Sequence, residues 1–142
     1  MKKILFVCTG NTCRSPMAEA IFNAAAPGGF CAFSAGIAAP CGKPVSENSV
    51  SALKEIGIQT NHKSVPVTKE LLEDYDYIVG MTGNHANKLI ADYPDFTEKI
   101  FAFPFDVGDP YGCDLAVYRK CREQIQHGID MIINEFCNEK QS

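Results

Sequence analysis

The chain has 142 residues, enough for one domain around one core, and it is 46% hydrophobic and 21% charged, as globular proteins generally are. Net charge is −4 with both signs interspersed, so no basic footprint marks a partner among nucleic acids or anionic membranes. No apolar run approaches the ~20 residues of a membrane span. The run that follows Met1-Lys2-Lys3 stops at Thr9-Gly10-Asn11, too soon for an export signal, and a cytoplasmic location is expected.

Strand and helix signals alternate along the chain. Ile4 to Val7 reads as a buried strand. Ser15 is an N-cap candidate with Pro16 in the first helical turn and Glu19 near capping-box spacing, and Met17, Ile21, Phe22 and Ala25 recur with helical period up to Pro27-Gly28-Gly29. Phe30 to Ala35 is a second strand, followed by a Gly- and Pro-rich loop over residues 36–44. Ser46 caps a helix carrying Val50, Leu53 and Ile56, which Gly57 ends. Residues 65–67 are extended around Pro66, and Thr68 opens a short helix to about Tyr75. Asp76 to Met81 is a third strand, residues 84–92 a helix with Leu89 and Ile90 inward, and Ile100 to Phe103 a fourth strand. After a loop over residues 104–112, a last helix begins near Asp114. Its apolar stripe is Val117 or Tyr118, then Cys121, Ile125, Ile129, Ile132 and Phe136.

Strands separated by helices imply crossover connections. The expected fold is therefore α/β in three layers: a four-stranded parallel sheet with helices on both faces, as a single domain over residues 1–142. Ligands bind such sheets at the carboxyl ends of the strands, which makes neighbours of the loops after Val7, Met81 and Phe103.

The first of these loops carries the chemistry. Cys8-Thr9-Gly10-Asn11-Thr12-Cys13-Arg14-Ser15 is a Cys-x5-Arg motif at a strand-to-helix junction. A loop wrapping into a helix N-terminus turns backbone N–H groups inward and adds the positive end of the helix dipole, making a cradle for a tetrahedral oxyanion. Gly10 allows conformations that a Cβ would penalise, and the planar fork of Arg14 can grip two phosphate oxygens. The same field favours a nucleophilic thiolate at Cys8. Ser15 can hydrogen-bond that sulfur and Asn11 can brace the loop. A cysteine after a strand is ordinarily a small buried hydrophobe; the Gly, Asn, Arg and Ser around this one point to chemistry instead.

Phe6 to Ala20, including Met17-Ala18-Glu19-Ala20, together with Ser34-Ala35-Gly36 and Asp109-Pro110-Tyr111, resembles the low-molecular-weight protein tyrosine phosphatase family over essentially the whole chain. The resemblance implies Cys8 as nucleophile, Arg14 as phosphate clamp and Asp109 as general acid. It implies a phosphocysteine intermediate, no metal or other cofactor, and a phosphorylated protein as partner. Phosphate or another oxyanion would occupy the loop. Thr9, Gly10, Asn11, Thr12, Cys13, Ser15 and Tyr111 would bind substrate. Asp106 is the competing acid, without the Asp-Pro match. The family also suggests a reversible Cys8–Cys13 disulfide. Phosphoarginine-specific members resemble this chain in carrying threonine at the position of Thr12, where tyrosine-specific members usually have a branched aliphatic residue. Gly112 stands where tyrosine phosphatases more often have a second aromatic. Phosphoarginine is thus the favoured substrate, with phosphotyrosine also plausible.

The alternatives are a tyrosine phosphatase proper, a thioredoxin-coupled arsenate reductase, a phosphoryl carrier and a non-catalytic phosphoprotein-binding module. The reductase needs two further cysteines after the third strand, and residues 82–112 contain none. A carrier generally lacks the clamp and the acid. A non-catalytic module would usually have lost Cys8, Arg14 or Asp109. The seven cysteines are odd in number and contain no Cys-x-x-Cys pair, which fits neither a disulfide scaffold nor a zinc site. Cys31, Cys41, Cys113, Cys121 and Cys137 are expected to fill space, and His62 and His85 to be structural hydrogen-bonding residues.

Overall fold

In a computed structural model describing residues 1–137, four strands form one parallel sheet in the order β2-β1-β3-β4. They are β1 (Lys2–Cys8), β2 (Phe30–Gly36), β3 (Tyr77–Gly80) and β4 (Ile100–Ala102). The helices are α1 (Arg14–Ala25), α2 (Glu47–Lys54), α3 (Lys69–Glu73), α4 (Gly83–Asp92) and α5 (Leu115–Ile132). The central strand β1 is buried on both faces, which is why it reads as a continuous apolar run. Ile4, Phe6 and Cys8 face a core shared with Met17, Ile21 and Phe22 of α1 and Ile125, Ile129 and Ile132 of α5. Leu5 and Val7 face the opposite core, with Leu72 of α3 and Ala86 and Leu89 of α4. This period-2 division of one strand between two cores builds the expected three layers.

Most predicted boundaries hold to within a few residues. Ser46, Thr68 and Asp114 cap α2, α3 and α5 through their side chains, and Thr82 caps α4. Pro94–Lys99 forms a 3-10 helix before β4 that the apolar pattern did not indicate. On α5 the stripe begins at buried Tyr118, while Val117 is exposed. Ile133–Cys137 closes the chain's described part as a π-helical turn; the Phe136 side chain lies outside the described residues.

Two expectations are corrected. Ser15 is not an N-cap: α1 begins at Arg14, its cap position is Cys13, and no side chain caps it. Ser15 turns its hydroxyl toward Cys8 instead. Nor do all the remaining cysteines fill space. Cys121 and Cys137 are buried and Cys31 is half-buried, but Cys41 and Cys113 sit on exposed loops.

Candidate active site

The loop is positioned by β1, whose last residue, Cys8, pairs in register with Gly36 of β2. Asn11 has φ 58°, the one positive φ outside glycine among the described residues; asparagine tolerates this left-handed conformation better than most side chains. It is fully buried, so its amide must find partners inside the protein. The side-chain oxygen accepts from the Val65 backbone N–H at 2.8 Å and from His62 Nε2 at 2.8 Å. Because Val65 N–H can only donate, it fixes which end of the amide is oxygen. Nδ2 therefore donates to Ser15 Oγ at 2.8 Å and to Ser34 Oγ at 3.0 Å. All four bonding directions of the Asn11 amide are used.

That orientation propagates to Cys8. Ser15 Oγ, which accepts from Asn11, lies 2.9 Å from Cys8 Sγ and 3.4 Å from Ala35 O, so its one proton is within reach of either acceptor. Asn11 N–H also donates to Cys8 Sγ, at 3.3 Å. The Ser15 hydroxyl and the Asn11 N–H thus converge on one buried sulfur. Behind the loop, Ser34 donates to Glu19 Oε1 at 2.7 Å, and His62 Nδ1 stands 3.4 Å from the same oxygen. Burial pushes the Glu19 carboxyl up, partly offset by the Ser34 hydrogen bond, and pushes the His62 imidazole down. Both shifts favour the uncharged forms.

Arg14 is buried at the first position of α1. Its Nη1 donates to Val107 O at 3.1 Å, and Nη2 lies 3.7 Å from Asp109 Oδ2. Asp109 is 55% exposed at its side chain, and its Oδ1 accepts from the Tyr111 N–H at 3.0 Å. The competing acid, Asp106, instead accepts from the Gly83 N–H at 2.8 Å, tying this loop to the start of α4. His85 spans the two sides of that junction: Nε2 lies 3.0 Å from Thr9 Oγ1 and Nδ1 lies 2.9 Å from Thr82 Oγ1. Burial, and then the Arg14 cation, push its pKa down, against the carboxylates of Asp109 and Asp106.

Cys8, Thr9, Gly10, Asn11, Thr12, Cys13, Arg14, Asp109 and Tyr111 line one cleft of about 300 Å³. Of the residues predicted for the site, Ser15 alone stands behind the wall, serving Cys8 rather than facing the cleft. Cys13 Sγ lies near Tyr118 Oη (3.4 Å) and Ser46 Oγ (3.5 Å). Burial and the Cys13 contact push the Tyr118 phenol up to about 12. Ala38, Pro40 and Lys43 complete the cleft. Sequence reasoning did not single them out, because a Gly- and Pro-rich loop shows no period that says which side faces inward.

A family model, low molecular weight phosphotyrosine protein phosphatase, matches residues 3–142. The fold and the cysteine loop define a phosphatase of that class, and the chain belongs to this family: it is a cysteine-dependent protein phosphatase. It is similar to a protein-arginine-phosphatase of Geobacillus stearothermophilus, 34% identical over 97% of this chain and 98% of that one. The solved YwlE arginine phosphatase from the same organism superposes with a TM-score of 0.95 at 33% identity, covering 99% of this chain and 96% of that one. A low molecular weight protein tyrosine phosphatase from T. tengcongensis is 41% identical with a TM-score of 0.91, covering 96% and 100%. Among the described residues no helix is long and apolar enough to cross a membrane.

Proposed function

We propose that this phosphatase acts on phosphoarginine in proteins, with Cys8 as nucleophile, Arg14 as phosphate clamp and Asp109 as general acid and base. In the first step the Cys8 thiolate attacks phosphorus, the bond from phosphorus to the guanidinium nitrogen breaks, and Asp109 gives its proton to that nitrogen. In the second, the Asp109 carboxylate takes a proton from water as the water attacks the phosphocysteine. The sulfur–phosphorus bond breaks, releasing phosphate and restoring the thiolate. Arg14 and the inward N–H groups of the loop hold the equatorial oxygens in both steps. The Ser15 hydroxyl, 2.9 Å away, hydrogen-bonds the departing sulfur and stabilises the charge it regains. The scheme uses no metal or cofactor, and seven free thiols suit the reducing cytoplasm.

The observation that carries the substrate choice is Thr12. It lines the cleft and is 8% exposed, so its side chain is part of a packed wall. A branched aliphatic side chain there would present only methyl groups, which suit a phenyl ring. The threonine hydroxyl is smaller and can accept from a guanidinium N–H. Tyr111 is the one aromatic ring lining the cleft and can stack on the planar guanidinium. The test is the ratio of kcat/KM for a phosphoarginine peptide over the matching phosphotyrosine peptide. We expect a ratio well above one, falling in Thr12→Ile as phosphotyrosine turnover gains. A wild-type ratio below one assigns a tyrosine phosphatase instead.

A further inference from the structure

The part of the cleft lined by Pro40 and Lys43 is held by one buried side chain. Ser64 is 1% exposed. Its backbone N–H donates to the carbonyl of Lys43 at 2.8 Å, and its hydroxyl accepts from the Lys43 N–H at 2.9 Å and donates to the carbonyl of Pro40. Its own carbonyl accepts from the Gly42 N–H at 2.8 Å, and the next positions form an antiparallel bridge, Pro44 with Lys63. Pro44 also restricts Lys43 to extended backbone. The neighbouring residues His62 and Val65 are the two donors to Asn11 Oδ1. One segment, residues 62–65, therefore grips the phosphate loop and the cleft wall together. The backbone of Lys43 stands in fixed register with the position of the phosphate.

Lys43 is exposed, and its side chain lines the cleft. Among the described residues no carboxylate pairs with its ammonium. The phosphate has its own cation in Arg14, deeper in the same cleft. The exposed Asp109 side chain lines the same cleft. An exposed, unpaired cation thus borders the cleft that holds the phosphate loop.

We propose that Lys43 is a specificity-determining residue: it selects phosphorylated protein segments that carry an aspartate or glutamate next to the phosphorylated side chain. This rests on the phosphatase reading and deepens it.

The experiment compares kcat/KM for two phosphopeptides that differ only in having glutamate or lysine on both sides of the phosphorylated residue. Wild type is expected to favour the glutamate peptide by roughly threefold or more, the scale of one or two exposed ion pairs. In Lys43→Glu the preference should reverse, and 0.5 M salt should flatten both ratios. Lys63→Glu makes the same charge change on the paired segment, outside the cleft lining, and should move the ratio much less. Equal turnover of the two peptides by wild type overturns the proposal, as does a preference that Lys43→Glu leaves in place or that Lys63→Glu reverses equally. With phosphoarginine as the phosphorylated residue, absence of turnover of both peptides overturns the phosphoarginine reading on which the proposal rests, which separates the two failures.

Discussion

Gly36 tests whether the loop's geometry is set by close packing against β2. A Cβ built on Gly36 would lie 2.5 Å from the carbonyl oxygen of Thr9, 2.7 Å from the Ala39 Cβ and 3.0 Å from the Asn11 Cβ. Ordinary contact begins at 3.4 Å, so Gly36→Ala requires about 0.9 Å of movement against Thr9. Gly36 itself has little room to retreat. It pairs with Cys8 on one side, and on the other its N–H donates to Val65 O at 2.9 Å while its carbonyl accepts from Val67 N at 3.0 Å. The displaced part is therefore the Thr9 to Asn11 stretch, which carries an N–H donor to the Cys8 sulfur. Overpacking of this kind costs about 1–3 kcal/mol, and a misplacement near 1 Å at a reacting centre costs about 10²-fold in rate. Gly36→Ala should lower kcat/KM by roughly two orders of magnitude while the protein stays folded, with a reduced urea midpoint and an unchanged m-value. The assay is single-substrate turnover beside equilibrium denaturation. Wild-type turnover together with wild-type stability would refute the idea that the absent Cβ holds the loop in place.

Three further outcomes follow from the geometry. Asp109→Asn keeps the size of the side chain but removes the transferable proton, and should lower kcat by about 10²–10⁴-fold; the loss should shrink with substrates whose leaving groups need no protonation. Gly128→Ala would place a Cβ 2.1 Å from Phe103 Cε2, and that ring cannot swing freely between Phe6 and Phe105, whose centroids lie 6.5 and 5.7 Å away. Overpacking outweighs the helix propensity gained from alanine, so Tm should fall by several degrees, and Phe103→Leu in the same chain should restore part of the loss. His85 is held below the usual histidine value of 6.5, so just below pH 6.5 the unfolded chain binds more protons there than the folded one. Its contribution to stability is complete above 6.5 and declines as pH falls through that value. Ring resonances followed by NMR should show His85 still neutral at pH 6.5, and a midpoint at or above 6.5 would contradict the assignment.

The sequence displayed the layers because each strand is short, apolar and bounded by turn residues, and because α1 and α5 keep one apolar stripe. That Cys8 and Arg14 meet in one cleft was legible for a related reason: they lie on one uninterrupted loop, where spacing alone constrains geometry. What stayed hidden is long-range. His62 meets Asn11 across 51 positions and His85 meets Thr9 across 76, and no local pattern encodes such a bond. Ser15 misled for a physical reason. Serine before a proline and an apolar helix is the common signature of a side-chain cap, whose role is to satisfy the first amides of a helix. Here those amides are left to the loop, as an anion-binding N-terminus requires, and the helix starts two residues earlier, so the hydroxyl is turned to the sulfur. The 3-10 helix at Pro94–Lys99 was silent because its residues are largely exposed and leave no apolar period to read.

The position of Asp109, the proposed acid, is where these long-range ties matter most. Asp109 lies 101 residues beyond Cys8, and its side chain is largely in solvent, so nothing in its own packing aims it at the cleft. Three bonds aim its loop instead: Asp106 accepts from the first N–H of α4, Val107 N–H donates to Met81 O at 3.2 Å, and Val107 O accepts from Arg14. The third is the significant one, because Arg14, the proposed phosphate clamp, also holds the backbone two residues before Asp109, the proposed acid. A guanidinium can do both at once, presenting some of its five N–H donors to Val107 and the rest to the cleft, in one plane. An ammonium at the same position has one nitrogen and would have to choose. In the proposed mechanism arginine at position 14 therefore serves twice, once for the charge on the phosphate and once for the placement of Asp109 relative to Cys8.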